Sequence, residues 1–340
     1  MALFHRHESQ ATGVEVECIP GSRSVHTSVI SDQQESVLLS SMGWVDRGSV
    51  WSLDTSTGSE KRFRLSDAKY LSLHPGKHDH FSVLHHFEGS QVEITAHRFS
   101  APSQVVAQVT VKCSSFEFTG DSTVWNLLPI SYVAYFEQAA WSDFALIRVD
   151  SHRPSVKVHG FEWYDDKYDK GYQGIVGVTE IPGKDLLIVS IQRDSRPVLY
   201  DPEAHRKVGE IELAWCSGNP RLRFRRTADE LWADDYDTIL KINPATWRVE
   251  RSRRLQDAAL GSRQFIGEFN FDSTEEICAV ARPFSGDVVG ITPSNLRVRY
   301  HCRTGGQPLE VAVLRDKRVY ARDWKSGALL QGTLRRKWVF

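Results

Sequence analysis

Cysteine is scarce in this 340-residue chain. The five present (Cys18, Cys113, Cys216, Cys278 and Cys302) lie far apart, and no two form a CxxC pair. An odd, scattered set excludes a zinc ribbon and a disulfide framework and leaves reduced, buried thiols as the expectation. Net charge is nearly absent as well, with 42 basic against 43 acidic side chains. No global field therefore calls for nucleic acid or an anionic membrane as partner. No apolar run approaches the roughly 18 residues of a membrane span. Leu186-Leu187-Ile188-Val189, among the longest, suits a buried strand. The first ten residues lack the apolar stretch of a secretory leader, so the expected location is the cytoplasm. Helical periodicity is almost missing: 201–207 and 257–262 are long enough only for single turns. There is no Gly-x-x-x-x-Gly-Lys-Ser/Thr phosphate loop and no Gly-x-Ser-x-Gly nucleophile elbow. A Ser-His-Asp triad assembled from distant residues stays open at this level.

What recurs is a strand, a polar turn and another strand. The clearest copies are 50–58, 198–202, 238–246 and 319–327, with weaker ones at 92–102, 144–154 and 288–294. Asp and Asn in such turns hydrogen-bond amides just ahead, Pro presets φ, and Gly accepts positive φ. Alternation on either side buries one set of side chains and hydrates the other. The turns fall near 54, 99, 150, 201, 243, 292 and 323, a mean spacing of about 45 residues, the period of four-stranded propeller blades. The pattern predicts an all-β propeller of seven four-stranded blades. It would occupy 11–340 as one domain after a flexible 1–10. The alternating 14–19 segment is expected to close the ring by pairing with strands between 309 and 338. The final interval, from 292 to 323, is short, which leaves the register of the last blade and a six-bladed variant open.

Glu230-Leu231-Trp232-Ala233, followed by Asp237-Thr238-Ile239-Leu240-Lys241-Ile242-Asn243-Pro244-Ala245-Thr246, resembles the repeat of the seven-bladed YVTN/streptogramin-lyase-like propellers. The regular Gly-His…Trp-Asp signature of WD40 blades is not present. The resemblance implies the fold strongly and the function weakly, since one propeller scaffold carries many unrelated jobs.

If the recurring turn joins strands three and four, the loops between strands two and three gather on the opposite face. Those loops are 44–48, 86–90, 140–143, 192–196, 234–237, 282–286 and 315–317. They carry Arg47, Arg193, Arg196, Arg282 and Arg315, with Trp44, His86, Trp141, Tyr236 and Phe284. Guanidinium forks suit carboxylates and phosphates, and aromatic rings supply rigid contact area. The aromatic and acidic segment 161–172, with Trp163 and Tyr168, is expected on the same face. Its Asp165, Asp166 and Asp169 lack the loop length and glutamate of an EF-hand. The densest histidine cluster is His74, His78, His80, His85 and His86, of which His80 and His85 point to opposite faces of one strand. No metal or cofactor is expected from these spacings. Residues 1–170 carry a net −6 and 171–340 a net +5. Acidic residues interleave with the arginines at 221–254, which argues against a nucleic-acid face.

The leading expectation is a cytoplasmic binding or scaffolding protein that recognises a peptide, protein or small anionic metabolite through the loop-rich face. The alternative, implied by the family resemblance, is a metal-assisted lyase or lactonase at the same mouth.

Overall fold

The computed structural model describes residues 17–18, 29–31, 35–42, 48–68, 70–75, 80–86, 91–112, 123–127, 130–136, 144–150, 156–161, 175–181, 183–184, 186–191, 196–201, 204, 206–213, 221–255, 265–326 and 328–336. Among them there is no α-helix, and no helix long and apolar enough to cross a membrane. The expected flexible segment 1–10 lies outside the described residues. The described strands form seven antiparallel sheets. By the density of contacts the chain divides into two compact units, 23–255 and 256–340 together with 1–22.

Five sheets make up the 23–255 unit, each a four-stranded meander with its strands in chain order. The last of them runs Leu222–Arg225, Glu230–Asp235, Thr238–Asn243 and Arg248–Arg254. Cores form between neighbouring sheets. Leu39 and Val50 from one sheet meet Leu71, Leu73, Phe81 and Val83 of the next. Ile188 and Leu199 likewise meet Leu222, Leu231, Leu240 and Ile242. Both faces of an inner strand are thus covered, whereas the outer strands Glu60–Arg64, Arg206–Glu210 and Arg248–Arg254 carry mostly exposed, charged residues. The Arg248–Arg254 strand is exposed along its whole length. Charge on an outer strand discourages unwanted pairing at a sheet edge.

The recurring turn behaves as its chemistry predicts. Asp54 Oδ1 accepts from the Ser56 amide, the Ser56 hydroxyl and the Thr57 amide at 2.7–2.9 Å. These hydrogen bonds, the Ser56 hydroxyl first, hold its carboxyl down at about 2. Asn243 Oδ1 accepts from the Ala245 and Thr246 amides, Asp201 Oδ1 from the Ala204 amide, and Asp323 Oδ2 from the Ser326 amide and hydroxyl. Asn243→Ala is expected to lower stability by about 1 kcal/mol, read as a shifted urea midpoint at unchanged slope. Asn243→Asp keeps the Oδ1 acceptor but sets a carboxylate oxygen where Nδ2 donates to Glu250 Oε1 at 2.8 Å. Both variants are therefore compared in a Glu250→Ala background, where Asn243→Asp should cost less. Equal losses from both would show that the acceptor does not matter.

In the second unit, Phe269–Phe271, Cys278–Arg282, Asp287–Thr292 and Arg297–Arg303 form one sheet. Pro308–Val313, Arg318–Asp323 and Leu329–Thr333 form the other, and Glu17–Cys18 joins it as the fourth strand. Glu17 pairs with Gln331 and Cys18 with Leu330, so the expected union of the two chain ends is present. Two details differ from the sequence reading. Arg335–Arg336 leaves this sheet and adds a fifth strand to the other, against Tyr300 and His301. Because the fourth strand comes from the N-terminus, the turn after Asp323 joins the second and third strands here, not the third and fourth. The short final interval has this cause.

Candidate binding face

Antiparallel order places every second–third turn of a meander at the same end of its sheet. In the second unit these turns are 283–286 and 324–328, and both display an aromatic ring. Phe284 is 41% exposed and Trp324 45%. Half-buried Phe265, just ahead of the Phe269–Phe271 strand, completes a cluster. Ring centroids lie 5.1 Å apart for Phe265 and Phe284, 5.3 Å for Phe265 and Trp324, and 5.9 Å for Phe284 and Trp324. All three pairs meet edge to face, the preferred alternative to a face-to-face sandwich. Rings this close fill the space between them, so the cluster is an apolar knob and not an open aromatic cage.

The backbone beneath the knob is held tightly. The Trp324 amide donates to the Gln307 carbonyl at 2.7 Å. Buried Asp323 accepts from the Gln307 amide through Oδ1 and from Ser326 through Oδ2. Under Phe284, the Gly286 amide closes the turn on the Arg282 carbonyl, and the Thr304 amide and hydroxyl both donate to the Gly286 carbonyl. Gly286 has φ +66°, and a Cβ there would sit 3.1 Å from the Gly306 carbonyl oxygen. Glycine is favoured here by the positive φ, and a side chain would also crowd the Gly306 carbonyl. Rings mounted on such turns lose little freedom on contact with a partner.

Arg282, expected to offer its fork to a ligand, has closed it on Asp287. Its Nε donates to Oδ1 at 2.7 Å and a terminal nitrogen to Oδ2 at 2.5 Å, while the His301 ring lies 2.7 Å from Oδ2. Burial pushes the Asp287 carboxyl up, but the hydrogen bonds from His301 and Arg282 hold it below the ordinary carboxylate value. The fork positions the turn that carries Phe284.

Arg315 sits in the turn between the first and second strands of its sheet, at the opposite end from Trp324. This corrects the register given to 315–317, and Trp324 takes the place assigned to Arg315. In the other unit, Arg196 forms an ion pair with Glu210 at 3.4 Å. Tyr236 occupies a tight second–third turn with φ 53°. Beside it the Asp234 carboxyl is buried, which pushes it up to about 7, although Arg221 lies near and its amide donates to Oδ1. His86 ends the His80–His86 strand, opposite Val92. Trp44, Arg47, Trp141, Trp163, Tyr168 and Arg193 lie outside the described residues, as do Asp165, Asp166 and Asp169.

Of the clustered histidines, His85 belongs to a hydrogen-bond chain, and His78 lies outside the described residues. Ser66 Oγ lies 2.7 Å from His85 Nδ1, and Thr95 Oγ1 lies 2.6 Å from both His85 Nε2 and His97 Nε2. Burial drives the His85 imidazole down to about 3 and the His97 imidazole to about 4. His85 is thus a neutral internal link, too weakly basic to activate the Ser66 hydroxyl near neutral pH.

No known protein family and no curated protein matches this sequence. Solved structures do match. The chain is similar to the β-propeller domain of Cps50 (Swd1) from Myceliophteria thermophila, with TM-score 0.67 and 14% identity, over 95% of this chain and all of that one. It is similar to a chain of the mitotic checkpoint complex, with TM-score 0.64 and 10% identity, over 100% and 97% of the two chains. It also resembles the periplasmic gluconolactonase PpgL of Pseudomonas aeruginosa, with TM-score 0.59 and 17% identity, over 93% and 99%. The seven antiparallel sheets of the described strands, together with these likenesses, show that the chain has a β-propeller fold.

Proposed function

We propose that this propeller is a protein-binding scaffold whose contact surface includes the Phe265, Phe284 and Trp324 knob. The observation that carries the reading is two exposed aromatic rings locked edge to face on hydrogen-bonded turns. Binding energy concentrates on rigid aromatic anchors of this kind. Similarity to a chain of the mitotic checkpoint complex supports the same reading. The buried thiols Cys278 and Cys302 suit a reducing cytoplasm.

The test is quantitative affinity capture with the wild type and a Phe284→Ser, Trp324→Ser double variant, alongside thermal melts. A partner enriched by the wild type should fall at least about tenfold with the variant while the melting curve barely moves. Retention of every partner by a folded variant would remove this surface from consideration.

The second reading, a metal-assisted lyase or lactonase acting on a small molecule, draws on the gluconolactonase that shares the fold. Lactone hydrolysis abolished by His86→Ala in a folded protein would favour it.

A further inference from the structure

Two outer strands, Arg248–Arg254 and Arg297–Arg303, are built alike. Each follows a turn whose last residue has positive φ, Trp247 at 59° and Leu296 at 55°. Each pairs with the third strand of its sheet through one register shift, between Lys241 and Ile242 or between Gly290 and Ile291. Each is rich in arginine: Arg248, Arg251, Arg253 and Arg254 in one, Arg297, Arg299 and Arg303 in the other. They differ at the outer edge. Arg297–Arg303 carries a fifth strand, with His301 opposite Arg335 and Tyr300 opposite Arg336. Among the described residues no strand pairs with the outer edge of Arg248–Arg254.

Backbone alternation shows that the second edge is equipped in the same way. The Thr304 amide donates inward to the Gly286 carbonyl, so residue 302 also faces inward and His301, between them, presents its amide and carbonyl outward to Arg335. In the other sheet the Leu255 amide donates inward to the Asp237 carbonyl. The same count turns Arg253 and Arg251 inward and Ser252 outward. Aligning Arg248 with Arg297 puts Ser252 at the position of His301. Arg251 and Arg253 share one face of the strand, and all seven of its residues are exposed.

We propose that the Arg248–Arg254 edge takes an extended acidic protein segment as an added antiparallel strand. The outward amide and carbonyl of Ser252 form its central hydrogen-bonded pair. Carboxylates at alternate positions of the segment lie along Arg251 and Arg253. Strand addition supplies affinity through the main chain and specificity through alternate side chains. The chain already fills the equivalent edge of the Arg297–Arg303 sheet with its own strand, and the arginines set the sign of the charge the guest must carry. This site is independent of the aromatic knob and stands or falls without it.

The probe is a fluorescent octapeptide of alternating glutamate and valine, followed by anisotropy. Saturable binding to the wild type is expected, and none for a lysine–valine counterpart. Ser252→Pro removes only an outward N–H, the one place in a strand where proline is tolerated, and should weaken binding at least about tenfold. Arg251→Glu with Arg253→Glu should do the same. A version of the peptide methylated on alternate amide nitrogens should not bind, and this decides the matter if Ser252→Pro fails to fold. Absence of wild-type binding would overturn the proposal, leaving the arginines as guards of a sheet edge. Unchanged affinity for folded Ser252→Pro, or for the methylated peptide, would overturn it too, pointing to plain charge attraction such as nucleic acid provides.

Discussion

Glu230→Ala is expected to lower the stability of the 23–255 unit by about 3 kcal/mol. Glu230 is the hub of a half-buried network. Arg225 and the Trp232 indole donate to Oε2, each at 3.1 Å, and Lys241 donates to Oε1 at 2.6 Å. The carboxylate is only 14% exposed, and its two cationic partners 16% and 17%. Burial pushes its pKa up, but hydrogen bonds from Lys241, Trp232 and Arg225 bring it below the ordinary glutamate value. Truncation leaves two poorly hydrated cations and an indole N–H without their acceptor, and such orphaned groups are expensive. Glu250 supplies the contrast. It is 42% exposed and 4.0 Å from the same lysine, so Glu250→Ala should cost under about 1 kcal/mol. Denaturant titrations of both variants measure the difference, and comparable losses would mean that the Glu230 network contributes no more than a surface pair.

Acid should destabilise the sheet containing His85 and His97 well above the range in which carboxylates titrate. Both imidazoles are 1% exposed and neutral in the folded chain, with burial lowering them from 6.5 to about 3 and about 4. An unfolded chain binds these protons near pH 6.5, which the native chain resists until much lower pH. The stabilisation is therefore complete above pH 6.5 and is lost as pH falls towards 4 for His97 and 3 for His85. Each imidazole steepens the loss by up to about 1.4 kcal/mol per pH unit inside that window. Asp234, raised to about 7, adds stability as pH falls and opposes this slope. The urea profile is therefore read in an Asp234→Asn background, where it should be flat from pH 8 to 6.5 and then fall. Replacing His97 with Gln, which cannot titrate, should flatten the fall in any variant that still folds. A level profile down to pH 5 would show that the imidazoles are hydrated.

Much of the architecture was legible locally. Asp54, Asp201 and Asn243 announce tight turns because their side chains reach only the amides two or three residues ahead, a contact that needs no tertiary partner. Strand alternation around them set the four-stranded period for the same reason. The last sheet was misread because its fourth strand, Glu17–Cys18, comes from the other end of the chain, and the repeat spacing there is short by one strand. That shift hid Trp324 within a turn assigned to the opposite end and promoted Arg315 in its place. The 31-residue interval between the turns at 292 and 323 was the available signal.

The site depended still more on three dimensions. Composition could nominate Arg282 for an anion, but only the fold shows Asp287 closing its fork. Sequence could group five histidines, but Ser66 and Thr95, which hold His85, come from outside that cluster. By itself the chain determined that it would fold as strands, where it would turn, and which side chains would be buried, because hydrophobic alternation and Asx turns act within a few residues. Only the tertiary structure decided which rings meet, which charges cancel, and which outer strand finds a fifth partner. Those outcomes depend on distances between residues that sequence separation does not encode.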